Sequence, residues 1–595
     1  MIRAIFLSLL CFALITQTAS SAPFVADLHR SPVDIAVAQD ESWLVSANRT
    51  SGTVTLVSLP DGKILDETFV GLRPTFVALA PDGHTLLVSA ADDRQLARIS
   101  VKQGKLVPEA TIEVGFDPHG IVFNSQGTAA YVALPTSHEV VKIDLQKNKV
   151  MHRFTVGKWP RYLALTSDDS RLVVGQSGDG KVAVIDTTDH STLFTVGFNG
   201  MNLGHMRISD DDRYVYFPWL HYGDNVPSPG NIRRGWVLGN RLGRVRIDED
   251  EPDGIISLDT RGDAVADAWG TDITPSGSHY LVTASGTHEL LVLRAPDLEF
   301  HTVGSTEHID DELLADKDRF FRIPLGGRPL AVKAGRDNQT VYVANDLLDS
   351  IQIVDIKSRR VVKEIHLGGP QDISLARKGE AIFYDGDRSF DRWYSCHSCH
   401  YEGGSNSQII DTLTDGSSAT YKSILPLWEL GSTSPWTWHG WQQDARDAMQ
   451  QSFTKTMQGK PASEDDVTAI LAYFNQLQAP PSPYVGKDGS ISAAAKRGET
   501  VFNGNVAGCA DCHSGPKFTD GEVYDVGLGS RRDRYEGYNT PSLIGLHAKL
   551  RFLHHGRAKT LKDTLTKYHA PEEVTGNGKL TDQQQSDLIE YLKTL

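Results

Sequence analysis

The chain has 595 residues, too many for one hydrophobic core, and ordinary apolar and charged fractions for a globular protein. Its net charge of -16 argues against a nucleic-acid partner, whose phosphates reward a basic face. Glycine is plentiful but follows no collagen-like period.

Residues 1–22 read as a secretory signal. Arg3 supplies the positive start, Ile5 to Ile15 is an apolar run, and Ser20-Ser21-Ala22 offers a cleavage site. The run is too short to span a bilayer and no later stretch is long enough, so a periplasmic protein without a transmembrane segment is expected. Of the five cysteines, Cys11 leaves with this segment. The other four form two pairs, Cys396/Cys399 and Cys509/Cys512, and leave none for a structural disulfide.

From about residue 31 a unit of roughly 43 residues recurs, the length of one propeller blade. Examples are SPVDIAVAQDESWLVSAN, LRPTFVALAPDGHTLLVSA and KWPRYLALTSDDSRLVVGQ. Each unit opens on an alternating apolar strand, turns at an Asp/Gly/Ser cluster and returns in a Val/Leu-rich strand. Seven units start near residues 31, 72, 116, 158, 201, 264 and 327. They resemble the YVTN family of β-propellers, which speaks to fold and not to chemistry. The fifth unit carries extra residues between Pro218 and Glu251, rich in Arg and Trp, and the sixth carries His301 to Arg322. The Arg/Trp stretch either packs on the rest of the chain or is a solvated insertion.

Two segments of the back half read C-x-x-C-H: Cys396 to His400 and Cys509 to His513. Two thiols at this spacing can add across the porphyrin vinyl groups while the next histidine reaches the iron, so two covalent haem c groups are expected, with His400 and His513 as ligands. A split zinc site would not explain the histidine after both pairs, and a thioredoxin-like pair would need a βαβ context.

The order ARKGEAIFYDGDRSFDRWYSCHSCH, VTAILAYFNQL, KRGETVFNGNVAGCADCHSGPKFTD, YNTPSLIGL and RFLHHGRAKTLKDTLTKYH resembles the di-haem cytochrome c peroxidase and MauG superfamily. The resemblance covers residues 370–595. The expected fold class is therefore multidomain β plus α. After the signal comes a seven-bladed propeller (23–369), then two mostly helical cytochrome c domains, 370–484 (peroxidatic type) and 485–595 (electron transfer).

Ligand expectations divide between counting and resemblance. The six methionines end at Met457, so the second haem has no methionine in its own domain. Leu561, Leu565 and Tyr568 share a face at helical spacing. The resemblance puts Tyr568 at the sixth-ligand position, as in MauG-type proteins, with His569 as alternative. No His or Met occurs between His400 and Trp438, so an open first iron is expected, with His439, Met449 and Met457 as other possible ligands. The resemblance implies that Trp438 passes electrons between the haems, and it places the family's catalytic glutamate on Gln458. Glutamine cannot exchange a proton, so His439 would take that role or peroxide turnover would be poor. It also implies Ca2+ near Asn539, Thr540 and Pro541.

The function implied is a periplasmic di-haem oxidoreductase using hydrogen peroxide, or dioxygen. It would oxidise a small c-type cytochrome, another electron donor or a protein substrate docked on the propeller. The alternative is a non-catalytic electron-transfer or sensing protein with a propeller docking domain.

Overall fold

The computed structural model describes residues 28–250, 254–301 and 307–595. The signal expected over residues 1–22 lies outside the described residues. Among the described residues no helix is long and apolar enough to cross a membrane.

Alternating apolar strands with turn residues at regular spacing produce seven antiparallel sheets, six of four strands and one of five. They begin at Pro32, Pro74, Ile121, Pro160, Gly200, Ala268 and Pro329, within a few residues of the expected starts. Each blade is contiguous in sequence, so the ring closes by packing between the last blade and the first. Ile35, Leu44 and Val57 pack there against Ala331, Ala344 and Ile351, and all six are almost wholly buried. His29 and Asp349 add a hydrogen bond of 2.6 Å across the closure.

Blade 5 departs from the regular pattern. The extra residues form a lengthened hairpin, Tyr214–Tyr222 and Leu238–Arg246, with a short helix Pro229–Arg233 between the strands. This hairpin packs on the helical part of the chain. Leu220, Tyr222, Ile232 and Leu238 share one buried core with Phe383, Trp393 and Phe453. Arg233 also reaches Asp391 (3.2 Å).

The back half traces the same path twice. Helices Leu375–Phe383 and Glu464–Phe474 flank the first C-x-x-C-H segment, and helices Ala493–Phe502 and Asp582–Leu592 flank the second. Ser374, Ser463, Ser492 and Thr581 cap these helices by accepting from free backbone N–H groups. Within each pair the helices cross at a glycine. A Cβ on Gly379 would strike the Ala469 carbonyl, and one on Gly498 the Asp587 carbonyl, so only glycine permits the approach.

Two paired cavities as candidate haem sites

The first attachment segment is a single helical turn, Cys396–Cys399, capped by Ser395. The turn brings both sulfurs to one side, and with His400 they line one cavity. Cys509, Cys512 and His513 line a second, mostly apolar cavity. No disulfide joins any of these four cysteines. His513 Nδ1 donates to the Phe518 carbonyl (3.0 Å), which leaves Nε2 free to ligate a metal. Among the described residues the one His/Cys/Asp/Glu group able to gather a metal ion is His288, Asp385 and Asp387, with no cysteine in it. That geometry favours haem attachment over zinc. The residues of both cavities therefore fit a covalently held haem.

Trp438 lines both cavities. Its Nε1 donates to the Ser423 carbonyl (2.7 Å), and its ring meets His554 edge-on with centroids 6.1 Å apart. From there a row of stacked rings runs through His554 and Tyr538 (4.0 Å) to His439 (4.7 Å). The Tyr538 hydroxyl donates to Asp533 (3.0 Å) and lies 3.0 Å from His554 Nε2. His439 lines the first cavity, its Nδ1 donating to the Gly537 carbonyl (2.7 Å) and its buried Nε2 without a hydrogen-bond partner. Burial first, then the neighbouring His555 charge, lowers His554 to about 3 and keeps it neutral. Sequence reasoning misses the grouping of Tyr538, His554 and Asp533 because all three are distant from Trp438 in the chain.

Each loop that carries these histidines is closed by one backbone bridge, Trp436 with Gln442 and Phe552 with Ala558. The helix after it ends in a wide turn bonded i to i+5: Met457 N to Ser452 O and His569 N to Thr564 O, both 2.8 Å. Such a turn takes up one extra residue and rotates the side chains beyond it about the helix axis. In the second module Leu561, Thr564, Leu565 and His569 line the cavity. The Tyr568 ring instead stands 5.0 Å from the His555 ring. His569 Nδ1 is buried without a partner, and burial first, then the nearby His513, lowers the ring to about 4. In the first module the wide turn presents Met457 to the cavity, with Met449 and Ser452 beside it. Gln458 has a positive φ of 53°, and its amide donates to the Lys455 carbonyl rather than lining the cavity. Thus Trp438, His439 and the two attachment motifs are brought together, while Tyr568 and Gln458 sit beside the cavities.

Near Asn539, where calcium is expected, the side-chain oxygen Asn539 Oδ1 is buried without a hydrogen-bond partner.

The propeller holds the first attachment segment directly. Asp267 of blade 6 accepts from the Ser395 and Ser398 hydroxyls at 2.5 and 2.6 Å, and Asn202 donates to the Ser398 carbonyl at 3.0 Å. Burial would raise Asp267, but the His397 ring and the two hydroxyls outweigh it and hold the carboxyl below its usual range. Beyond His400, Glu402 lies 3.2 Å from both His397 Nε2 and Arg328. Those partners overcome its burial and hold it well below the usual carboxylate range.

A propeller joined to two small helical modules, each built on C-x-x-C-H, defines the class. Residues 12–216 match the YNCE-like β-propeller family. Among curated relatives, the hydrazine synthase subunit gamma of Kuenenia stuttgartiensis is 27% identical, covering 39% of this chain and 82% of the relative. The methylamine utilization protein MauG of Methylorubrum extorquens (strain AM1) is 26% identical, covering 38% and 78%. The cytochrome-c peroxidase IdrP1 of Denitromonas iodatirespirans is 27% identical, covering 18% and 42%. Over part of its length the chain is thus similar to MauG and cytochrome-c peroxidase proteins.

Proposed function

We propose that the protein is a periplasmic oxidoreductase that holds two haem c groups and couples an oxidant, hydrogen peroxide or dioxygen, to an electron donor. The donor is a small c-type cytochrome, another reduced compound or a protein docked on the propeller. The observation that carries this reading is the position of Trp438, which lines both cavities at once. Bound haem would supply the redox chemistry, and the chain's own residues position and insulate it. Cys396, Cys399 and His400 would hold the first group, and Cys509, Cys512 and His513 the second. Trp438 would pass charge between them. His439 lines the first cavity, and its Nε2, without a hydrogen-bond partner and 3.7 Å from Asp533, is the group placed to accept or return a proton there. On the second side, His569 lines the cavity and Tyr568 does not, so His569 is the better sixth-ligand candidate.

A second reading, a non-catalytic electron carrier or sensor, draws support from Met457 and His569. They occupy equivalent positions after the two wide turns, and both are able to ligate iron. The ferric optical spectrum, recorded before and after one equivalent of hydrogen peroxide, separates the readings. A high-spin component that peroxide alters supports the enzyme. A purely low-spin spectrum that stays unchanged, even after partial reduction, leaves the carrier.

A further inference from the structure

A third cavity lies between the inner strands of the propeller and the first helical module. His119, Arg161, Tyr162 and Trp269 reach it from the propeller, and Tyr401 and Trp428 from the helical side. Pro426 and Lys549 line this chamber and both candidate haem cavities, so the three spaces adjoin.

The charges in the chamber are unevenly satisfied. Arg328 is held by Asp346 and Glu402, both at 3.2 Å, and Arg73 by Asp92 and Asp117 at 2.7 and 2.8 Å. Arg161 has no carboxylate within ion-pair distance among the described residues, and its Nε is buried without a hydrogen-bond partner. Its guanidinium lies over the Tyr401 ring at 4.6 Å.

Among the described residues the Arg161 side chain has one hydrogen-bond partner, His119, while the carboxylates of Asp117 and Glu402 act on it from farther away. Arg161 NH1 donates to His119 Nε2 at 3.4 Å, so His119 carries its proton on Nδ1. That Nδ1 is also buried without a partner, and so is the Tyr401 hydroxyl. His119 is 7% exposed and Tyr401 4%. Three buried donors, from three adjoining residues lining one chamber, have no acceptor. Leaving them so is unfavourable unless an acceptor arrives. The surrounding walls are aromatic: Tyr162 packs edge-on against His119 at 5.2 Å, and Trp269 stacks on Tyr401 at 5.9 Å.

We propose that this chamber binds a small planar organic anion of the aromatic carboxylate class, its carboxylate on Arg161, His119 and the Tyr401 hydroxyl. A planar guanidinium edge matches a carboxylate in a bidentate pair, and aromatic walls suit an aromatic body. The role of the bound compound as electron donor rests on the oxidoreductase reading above, whereas its binding does not.

The test is calorimetric titration of the full-length holoprotein with benzoate and, separately, with uncharged benzamide, no oxidant being present. The expected result is one benzoate per chain, with benzamide at least about tenfold weaker. Arg161→Gln should weaken benzoate about tenfold or more and bring the two probes level, with the ferric haem spectrum unchanged. No benzoate binding up to about 10 mM, equal binding of both probes, or an Arg161→Gln protein that binds benzoate as well as the parent would each overturn the proposal. If Arg161→Gln does not fold, the benzoate-to-benzamide ratio of the parent protein decides alone. A parallel peroxide titration keeps the two readings apart. Selective benzoate binding without a peroxide response retains the chamber and removes the peroxidase, and the reverse result does the opposite.

Discussion

The two helical modules repeat one chain path, yet the rest of the molecule holds them differently. The first module's attachment segment is bound to the propeller through Asp267, Asn202 and the Glu402–Arg328 pair, all at buried or half-buried positions. Prominent polar links between the second module and the propeller are Lys487 with Glu113 (2.8 Å) and Arg94 with the Val485 carbonyl (3.3 Å). In the Lys487–Glu113 pair both side chains are more than half exposed, and such pairs contribute little. The two modules are thus similar scaffolds, and the propeller grips the first through buried polar contacts. In the reading proposed above, the gripped module is where the oxidant reacts, and charge passes through Trp438 to the other.

The largest expected effect comes from the attachment cysteines. Cys396→Ser or Cys512→Ser should each lower the covalently bound haem from two per chain to one, measured as haem-to-protein ratio after acid extraction. Unchanged stoichiometry in either variant would remove that site from the pair. Next, Trp438→Phe should slow charge sharing between the modules by about tenfold or more, read from the absorbance kinetics of one haem after oxidation of the other. An unaltered rate would make the tryptophan part of the packing only.

The asymmetry in anchoring predicts that Asp267→Ala destabilises the first module by about 3 kcal/mol, because it strands the Ser395 and Ser398 hydroxyls and the His397 ring. Guanidinium unfolding monitored separately at each haem should show the loss on the first side alone. Equal loss at both would mean that the modules unfold as one unit.

The wide turns offer a finer comparison. His569→Ala should change the ferric spectrum of the second haem, and Tyr568→Phe should leave it unchanged. The opposite outcome would restore the tyrosine as ligand.

A smaller effect concerns pH. Glu402 is held well below its ordinary value of 4.5 in the folded protein, so the folded state binds fewer protons there than the unfolded state. Its contribution to stability is complete above about pH 4.5 and is lost as the pH falls from there through the folded pKa. The unfolding midpoint of the parent should therefore fall more steeply than that of Glu402→Gln between pH 5 and pH 3, and parallel curves would refute the assignment.

Much of the architecture is legible in the chain because it is local. The seven blades start within a few residues of the positions read from alternation and turn chemistry, since a strand and its return lie within one unit. Both C-x-x-C-H segments carry their meaning in five residues, and the structure turns each of them toward a cavity. The Arg/Trp stretch of blade 5 is visible in the sequence as an insertion, but its lengthened hairpin and its shared core with Phe383 and Trp393 are not. Helical spacing groups Tyr568 with Leu561 and Leu565, and it fails at one point. An i to i+5 bond adds a residue to the turn and brings His569 round instead.

By itself, then, the sequence determined the repeat, the number of blades, the attachment motifs and the doubled helical path, because each depends on residues close together in the chain. Only the tertiary structure decided which propeller residues grip the first module, which rings surround Trp438, and that Arg161, His119 and Tyr401 share one chamber. Those contacts join segments far apart in sequence, and they exist only once blades and helices have packed.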